Sequence, residues 1–222
     1  MAPPISTAVL RSVPLFSSVP EEQLRLLTTL VTRRSTTRGS IIMAAGDPTD
    51  SLYIILSGRL KVMMSDADGK EVILSILGPG EFFGEMGLID DNPRSASVVA
   101  IEPCELLAIT RRDFKKCMTD NAEMAVAVMR GLVRRLREAD RKIGSLALLD
   151  VYGRVARLLL DMSETVDGQK MVTKRLPKQD IAKMIGASRE MVSRVMKDLQ
   201  VGGFIEMRGS TILLRDNIVL PE

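Results

Sequence analysis

Nine residues, Met118, Ala122, Ala125, Met129, Leu132, Leu136, Ala139, Ile143 and Leu146, follow one another at alternating spacings of 4 and 3. An apolar seam of two positions in seven, kept up for that length, requires a long helix and is narrower than the stripe a helix uses to sit on its own domain. A second copy of the same helix matches it best, so a two-fold homodimer is expected, with a helix packed only on its own domain as the alternative. Arg130, Arg134, Arg135, Arg137 and Glu138 flank the seam, and the alanines at 122, 125 and 139 allow close approach. Gly144 and Ser145 are expected to interrupt the helix, with a hinge near 143–149.

The seam divides the chain. Residues 1–14 carry Pro3, Pro4 and Pro14 with little periodicity and read as a loose lead, after which Pro20-Glu21-Glu22-Gln23-Leu24 marks a helix start. From about Thr36 to Thr110 short apolar runs (52–56, 60–63, 72–77 and 106–109) alternate with Gly46, Gly58, Gly69, Gly78 and Gly80, and Asp68-Gly69 signals a hairpin. Regular short strands with glycine turns predict a sandwich or jelly-roll barrel. The fold class is therefore α+β, a β-roll followed by a long helix and a further helical module, and 222 residues suffice for such a division.

Composition narrows the chemistry. With 0 His and 2 Cys, the usual haem ligand, most zinc sites and a four-thiolate iron–sulfur cluster are excluded, so no metal, haem or cluster is expected. No apolar run approaches the ~20 residues of a membrane span, and a cytoplasmic protein without membrane contact is expected. Residues 140–222 hold 14 Lys and Arg against 11 Asp and Glu, while 1–139 hold 17 of each, so the basic excess lies in the C-terminal part. That distribution hints at nucleic acid.

Within the strand region stands Gly84-Glu85-Met86-Gly87-Leu88-Ile89-Asp90-Asp91-Asn92-Pro93-Arg94-Ser95-Ala96. The two glycines let the backbone bend with N–H groups pointing inward, Arg94 offers a charged fork and Ser95 a hydroxyl. Glu85 would repel an anion, and its place here makes sense if it accepts from a neutral hydroxyl such as a ribose 2′-OH. The combination points to a nucleotide; the bland alternative is a surface turn with Arg94 paired to Asp90 or Asp91. An enzyme using Glu85 or Asp90 as a base lacks any nucleophile–base pair or metal cluster, so no enzyme is expected.

Beyond a helix at about 151–164 and a short loop at Asp167-Gly168, Ile181, Met184 and Ile185 form one apolar face, Gly186 stops that helix and Ser188 caps the next. Val192, Val195, Met196 and Leu199 then face inward, leaving Arg189, Glu190, Ser193, Arg194 and Lys197 outside. This is a helix-turn-helix, and a hairpin over 204–214 around Arg208-Gly209-Ser210 would make it winged. Arg189 and Arg194 can each take a guanine bidentately and Glu190 can accept from a cytosine amino group, while Gln179, Ser188 and Lys197 suit phosphates, with Lys178 and Ser193 as further DNA-binding candidates. Met191 can touch a thymine methyl or pack.

The Gly-Glu-Met-Gly-Leu and Pro-Arg-Ser-Ala elements at 84–88 and 93–96, with the helix-turn-helix, resemble the CRP/FNR family, the bacterial catabolite activator proteins, over about 15–214. The resemblance implies a cyclic-nucleotide-binding β-roll at 15–117, a dimerisation helix and hinge at 118–146, and a winged helix-turn-helix at 147–222. It implies cyclic phosphate on Arg94, Ser95 and the backbone near Gly84, with the ribose on Glu85; Met86 and Ala96 are further ligand-binding candidates, and Arg135 on the helix is an alternative support for the phosphate. It implies double-stranded DNA of near-palindromic TGTGA-like sequence, half-sites ~10–10.5 bp apart, and RNA polymerase as partners. The family's base-contacting Thr-Ser pair is replaced by Ala139 and Asp140. Alanine offers no hydrogen bond, and a carboxylate at 140 matches guanine's paired donors better than adenine's amino group, or else is a solvated flank beside Arg137 or Arg141. Cyclic AMP is the default effector, with cyclic GMP and cyclic di-GMP as rivals and a ligand-independent regulator of the same fold as a further alternative.

Overall fold

Ser6 accepts a hydrogen bond from the Val9 amide and opens a short helix, α1 (Thr7–Arg11), followed by a 3₁₀ turn at Pro14–Phe16. A computed structural model describes residues 5–17, 19–173 and 176–215 and divides into two compact units, 1–135 and 136–222. The expected loose lead is corrected by α1: Leu10, Val13, Leu15 and Phe16 are buried and belong to the first core, while Pro3 and Pro4 lie outside the described residues. Three prolines hid this segment because its order comes from apolar anchoring rather than local periodicity. Helix α2 (Glu21–Leu30) follows Pro20, with Glu21 and Glu22 in its first turn as the dipole favours.

The N-terminal unit then forms β1 (Val31–Thr36), β2 (Ile41–Met43), β3 (Ser51–Ser57), β4 (Leu60–Ser65), β5 (Glu71–Leu77), β6 (Phe82–Phe83), the single-turn α3 (Met86–Ile89), β7 (Ser97–Ala100) and β8 (Cys104–Thr110). Two antiparallel sheets, β1-β8-β3-β6 and β2-β7-β4-β5, make the β-roll. Successive side chains of a strand face opposite ways, and β3 uses both faces. Leu52 and Ile54 join the core shared with the helices, whereas Tyr53 and Ile55 join the core between the sheets. That is why 52–56 reads as a continuous apolar run rather than an alternating one.

Thr110 caps α4 (Arg111–Asp120), and Asn121 breaks the chain before α5 (Ala122–Leu148), its side-chain oxygen accepting from the Met124 amide at 3.0 Å. Two expectations are corrected here. Met118 belongs to α4, so the seam starts on α5, and Gly144 and Ser145 are helical rather than an interruption. Helix α5 also carries a second apolar stripe: Met124, Val128 and Gly131 are buried in the N-terminal unit, while Met129, Leu136, Ile143 and Leu146 of the seam are exposed.

In the C-terminal unit, Asp150 caps α6 (Val151–Asp161), which is shorter than the sequence implied. The loop expected at Asp167-Gly168 is the turn of a hairpin, β9 (Glu164–Val166) and β10 (Gln169–Val172). Helices α7 (Lys178–Ile185) and α8 (Arg189–Val201) precede the expected hairpin, β11 (Ile205–Arg208) and β12 (Thr211–Leu214), and the sheet runs β11-β12-β10-β9. Among the described residues, no helix is long and apolar enough to cross a membrane.

Candidate functional site

The segment between β6 and β7 is folded around close approaches. Gly84 has φ +83°, and a Cβ there would stand 2.5 Å from Arg94 Nη1 and 3.1 Å from the Ser51 carbonyl oxygen. At Gly87 a Cβ would meet the Asn92 carbonyl oxygen and Thr49 Oγ1, each at 2.3 Å. Both glycines are therefore required by space as well as by backbone angle at the first.

Those approaches seat Arg94, only 5% exposed. Its Nη1 donates to the Gly84 carbonyl oxygen at 2.8 Å, and its Nη2 to the Ser51 carbonyl oxygen at 2.7 Å and to Asp50 Oδ1 at 3.2 Å. A guanidinium has five N–H donors, so Nε–H and one Nη1–H remain for an anion. The acid beside Arg94 is thus Asp50, rather than Asp90 or Asp91 of its own segment. Asp91 is instead bound by Arg111 and Lys115, which hold its carboxyl below the usual carboxylate range, the Lys115 hydrogen bond most of all.

Glu85 is 2% exposed, its Oε1 lies 2.7 Å from Arg135 Nη1, and its buried Oε2 has no partner among the described residues. Arg135 also donates to the Phe82 carbonyl oxygen, stands 5.0 Å from the Phe82 ring centroid, and keeps a buried Nε without a partner among the described residues. A native interior rarely leaves such groups unpaired. A ligand hydroxyl would satisfy Glu85 Oε2 and an anionic oxygen the spare donors of Arg94, leaving only Arg135 Nε of these groups, so these residues fit a cyclic nucleotide.

The structure thus brings Gly84, Glu85, Arg94 and Arg135 together. Ser95 and Met86 are exposed, the Ser95 hydroxyl lying 3.7 Å from Met86 Sδ, and Ala96 is buried. Ala139 and Asp140 are exposed on the part of α5 that belongs to the C-terminal unit. Sequence reasoning missed Thr49, Asp50, Ser51 and Arg111, which are remote in sequence from 84–96 and carry no spacing signal. No group of three or more His, Cys, Asp or Glu that could hold a metal occurs among the described residues.

The second site is the outer face of α8. Gly186 ends α7 in the left-handed region (φ 64°, ψ 44°), and Ser188 caps α8, its hydroxyl oxygen accepting from the Met191 amide at 3.2 Å. A cap of this kind contributes about 1 kcal/mol. Val192, Val195, Met196 and Leu199 are buried as expected, with Ile181, Ala182 and Ile185 beneath them and Met184 half-buried. Arg154 Nη1 donates to the Ile185 carbonyl oxygen at 2.8 Å, tying the end of α7 to α6.

Arg189, Glu190, Arg194, Lys197, Gln179 and Met191 are exposed, and Ser193 and Lys178 half-buried. At 44% exposure Met191 is surface rather than core. Glu190 is held below the usual carboxylate range by its own backbone N–H and then by the Ser188 hydroxyl, so it is an ionised acceptor at neutral pH. Ser188 is accordingly engaged on both sides as a cap.

Both sites have counterparts in known proteins. The cyclic nucleotide-binding domain matches residues 33–121 and the Crp-like helix-turn-helix domain matches residues 153–218. The CRP-like cAMP-activated global transcriptional regulator of Mycobacterium tuberculosis is 32% identical over 213 residues, covering 94% of this chain and 95% of the relative. The cAMP-activated regulator Vfr of Pseudomonas aeruginosa is 36% identical over 189 residues, covering 82% and 88%. Among solved structures, the c-di-GMP-responsive global regulator CLP of Xanthomonas campestris is similar at a TM-score of 0.76 and 30% identity, covering 89% of this chain and 100% of that one. The chain belongs to the CRP/FNR family of transcription regulators. It is a CRP-like DNA-binding regulator with a cyclic-nucleotide-binding domain, in a family of regulators rather than enzymes.

Proposed function

We propose that the protein is a cytoplasmic homodimer that binds cyclic AMP in each β-roll and, so loaded, binds a near-palindromic TGTGA-like operator and engages RNA polymerase. The observation that carries this reading is the buried Glu85 with one unpaired oxygen beside an Arg94 that keeps two unspent donors. In this reading residues 15–117 sense, 118–146 dimerise through the exposed Met129, Leu136, Ile143 and Leu146, and 147–222 read DNA. Arg94, Ser95 and the backbone around Gly84, Met86 and Ala96 hold the cyclic phosphate, Glu85 the ribose hydroxyl, and Arg135 pairs with the other oxygen of Glu85. Arg189, Glu190 and Arg194 read bases with Ser193 beside them, while Lys178, Gln179 and Lys197 serve the phosphates and Ser188, its hydroxyl spent as the cap, fixes the start of α8. The pocket binds and releases its effector without altering it.

A second reading is favoured by Ala139 and the exposed carboxylate of Asp140: a guanine cyclic nucleotide, cyclic GMP or cyclic di-GMP, in place of cyclic AMP. The c-di-GMP response of CLP supports weighing it. For either effector to switch a two-state protein from 1:99 to 99:1, it must favour the DNA-competent state by ~5.5 kcal/mol. Calorimetric titration of the full chain with cyclic AMP, cyclic GMP and cyclic di-GMP tests both. Saturable binding of cyclic AMP alone supports the first reading, preference for a guanine nucleotide supports the second, and binding of none overturns both in favour of a ligand-independent regulator.

A further inference from the structure

Arg111, the first residue of α4, directs its guanidinium beneath the 84–95 segment rather than away from it. Nε and Nη2 donate to the Thr49 carbonyl oxygen at 3.1 and 2.9 Å, Nη2 also to the Gly87 carbonyl oxygen at 3.1 Å, and Nη1 pairs with the Asp91 carboxylate. Four of its five donors are thereby used within the protein. Lys115, one turn on, reaches the same Asp91 oxygen at 3.0 Å.

What Arg111 grips is also what seats Arg94. The Arg111 amide donates to the Asp50 carbonyl oxygen at 2.7 Å, and the Thr49 hydroxyl donates to the Asn92 carbonyl oxygen at 3.1 Å. Arg94 reaches the same short stretch from the other side, at Asp50 and Ser51. Asp91 holds φ 59°, a left-handed conformation that costs a non-glycine residue of the order of 1 kcal/mol and persists only when neighbours fix it. Its two cationic partners both come from α4.

We propose that Arg111 is a positioning residue for the nucleotide pocket. It fixes Thr49–Ser51 against Gly87–Asn92, so that the spare donors of Arg94 and the free oxygen of Glu85 are presented at a set separation before the nucleotide arrives. The inference rests on the cyclic-nucleotide reading of that pocket and assigns no ligand contact to Arg111. Preorganisation of this kind appears as affinity, since a site that must be rebuilt on binding binds more weakly.

The test is calorimetric titration of the full-length protein with cyclic AMP, cyclic GMP and cyclic di-GMP, followed by titration of variants with whichever the wild type binds. R111Q is expected to weaken binding about tenfold or more, the loss of hydrogen bonds from a charged donor. R111K, which keeps the charge facing Asp91 and loses the fork onto Thr49, should restore part of that loss. D91N, which leaves Arg111 in place and disturbs an exposed ion pair, should weaken binding about two- to fivefold and serves if R111Q does not fold. R59Q removes the Arg59–Glu102 ion pair of the same unit, in which the side-chain hydrogen bonds of Arg59 go to Glu102 rather than to the 84–95 segment, and should leave affinity unchanged. Wild-type affinity in both R111Q and D91N, or an equal loss in R59Q, would overturn the inference while leaving the pocket reading intact. A wild type that binds none of the three nucleotides would remove the pocket reading and the inference together.

Discussion

Glu85 and Arg94 are 2% and 5% exposed and bonded within their own fold, whereas Arg189, Arg194 and Lys197 stand in solvent on α8 with no hydrogen-bond partner among the described residues. The two sites answer different binding problems. A small anion offers few contacts, so in the proposed pocket the charges are desolvated and oriented in advance, where each would be worth more than in water and a misplaced one would cost more. A duplex offers a long row of phosphates and base edges, so in the proposed DNA contact hydrated side chains on one rigid helix would suffice, each contributing a modest share. Substitutions should accordingly be few and severe in the pocket, many and graded on α8.

The largest effect is expected from R94A. It removes the two donors left for the phosphate and strands the carbonyl oxygens of Gly84 and Ser51, so nucleotide affinity should fall by about 3–6 kcal/mol, read by calorimetry. Operator affinity in the presence of nucleotide should then drop to its nucleotide-free value. Unchanged regulation would mean that the buried charges serve the fold alone.

Next comes the seam, which links the two kinds of site in the proposed dimer. Leu136 is 63% and Ile143 64% exposed, so L136E with I143E should leave each subunit folded and weaken association by about 3 kcal/mol or more, measured by analytical ultracentrifugation. Half-site binding would persist and cooperative binding to the full operator would be lost. A double variant that stays dimeric would exclude this face as the interface.

On α8 the effects should be smaller and separable. R194A should cost about 1–3 kcal/mol on the preferred operator and relax specificity at one base pair per half-site. K197A should weaken all sequences alike and reduce the slope of log affinity against log salt by about one per subunit. Smallest of all is the acid dependence of Glu190. Its pKa is lowered in the folded protein, so its contribution to α8 is present above the ordinary carboxylate value and is lost only as pH falls through the lowered one. The difference in thermal stability between wild type and E190Q should be constant near neutrality and shrink in acid.

Much of this is legible in the sequence alone. Glycine and helical period placed α7, α8 and the final hairpin, because those signals are local: Gly186 and Ser188 act on the residues beside them. The Gly84–Ala96 segment was equally legible as chemistry, yet its partners were not. Asp50 and Arg111 reach it across the sheet, and nothing in the spacing between 50, 94 and 111 records that the chain brings them together. Helix α5 shows the same limit. The 4-3 seam was visible, but the stripe of Met124, Val128 and Gly131 that binds α5 to the β-roll was masked, since two apolar faces on one helix overlap in sequence. Met118 extended the pattern by coincidence across Asn121, where the chain turns.

Coupling between the pocket and α8 is the claim on which the functional account stands, and operator affinity measured by fluorescence anisotropy at fixed salt, with and without saturating nucleotide, tests it most directly. The account predicts tighter binding with nucleotide by about 5- to 150-fold or more, with the same gain lost in R94A. Equal affinity in the two conditions, with nucleotide shown to be bound, would contradict it.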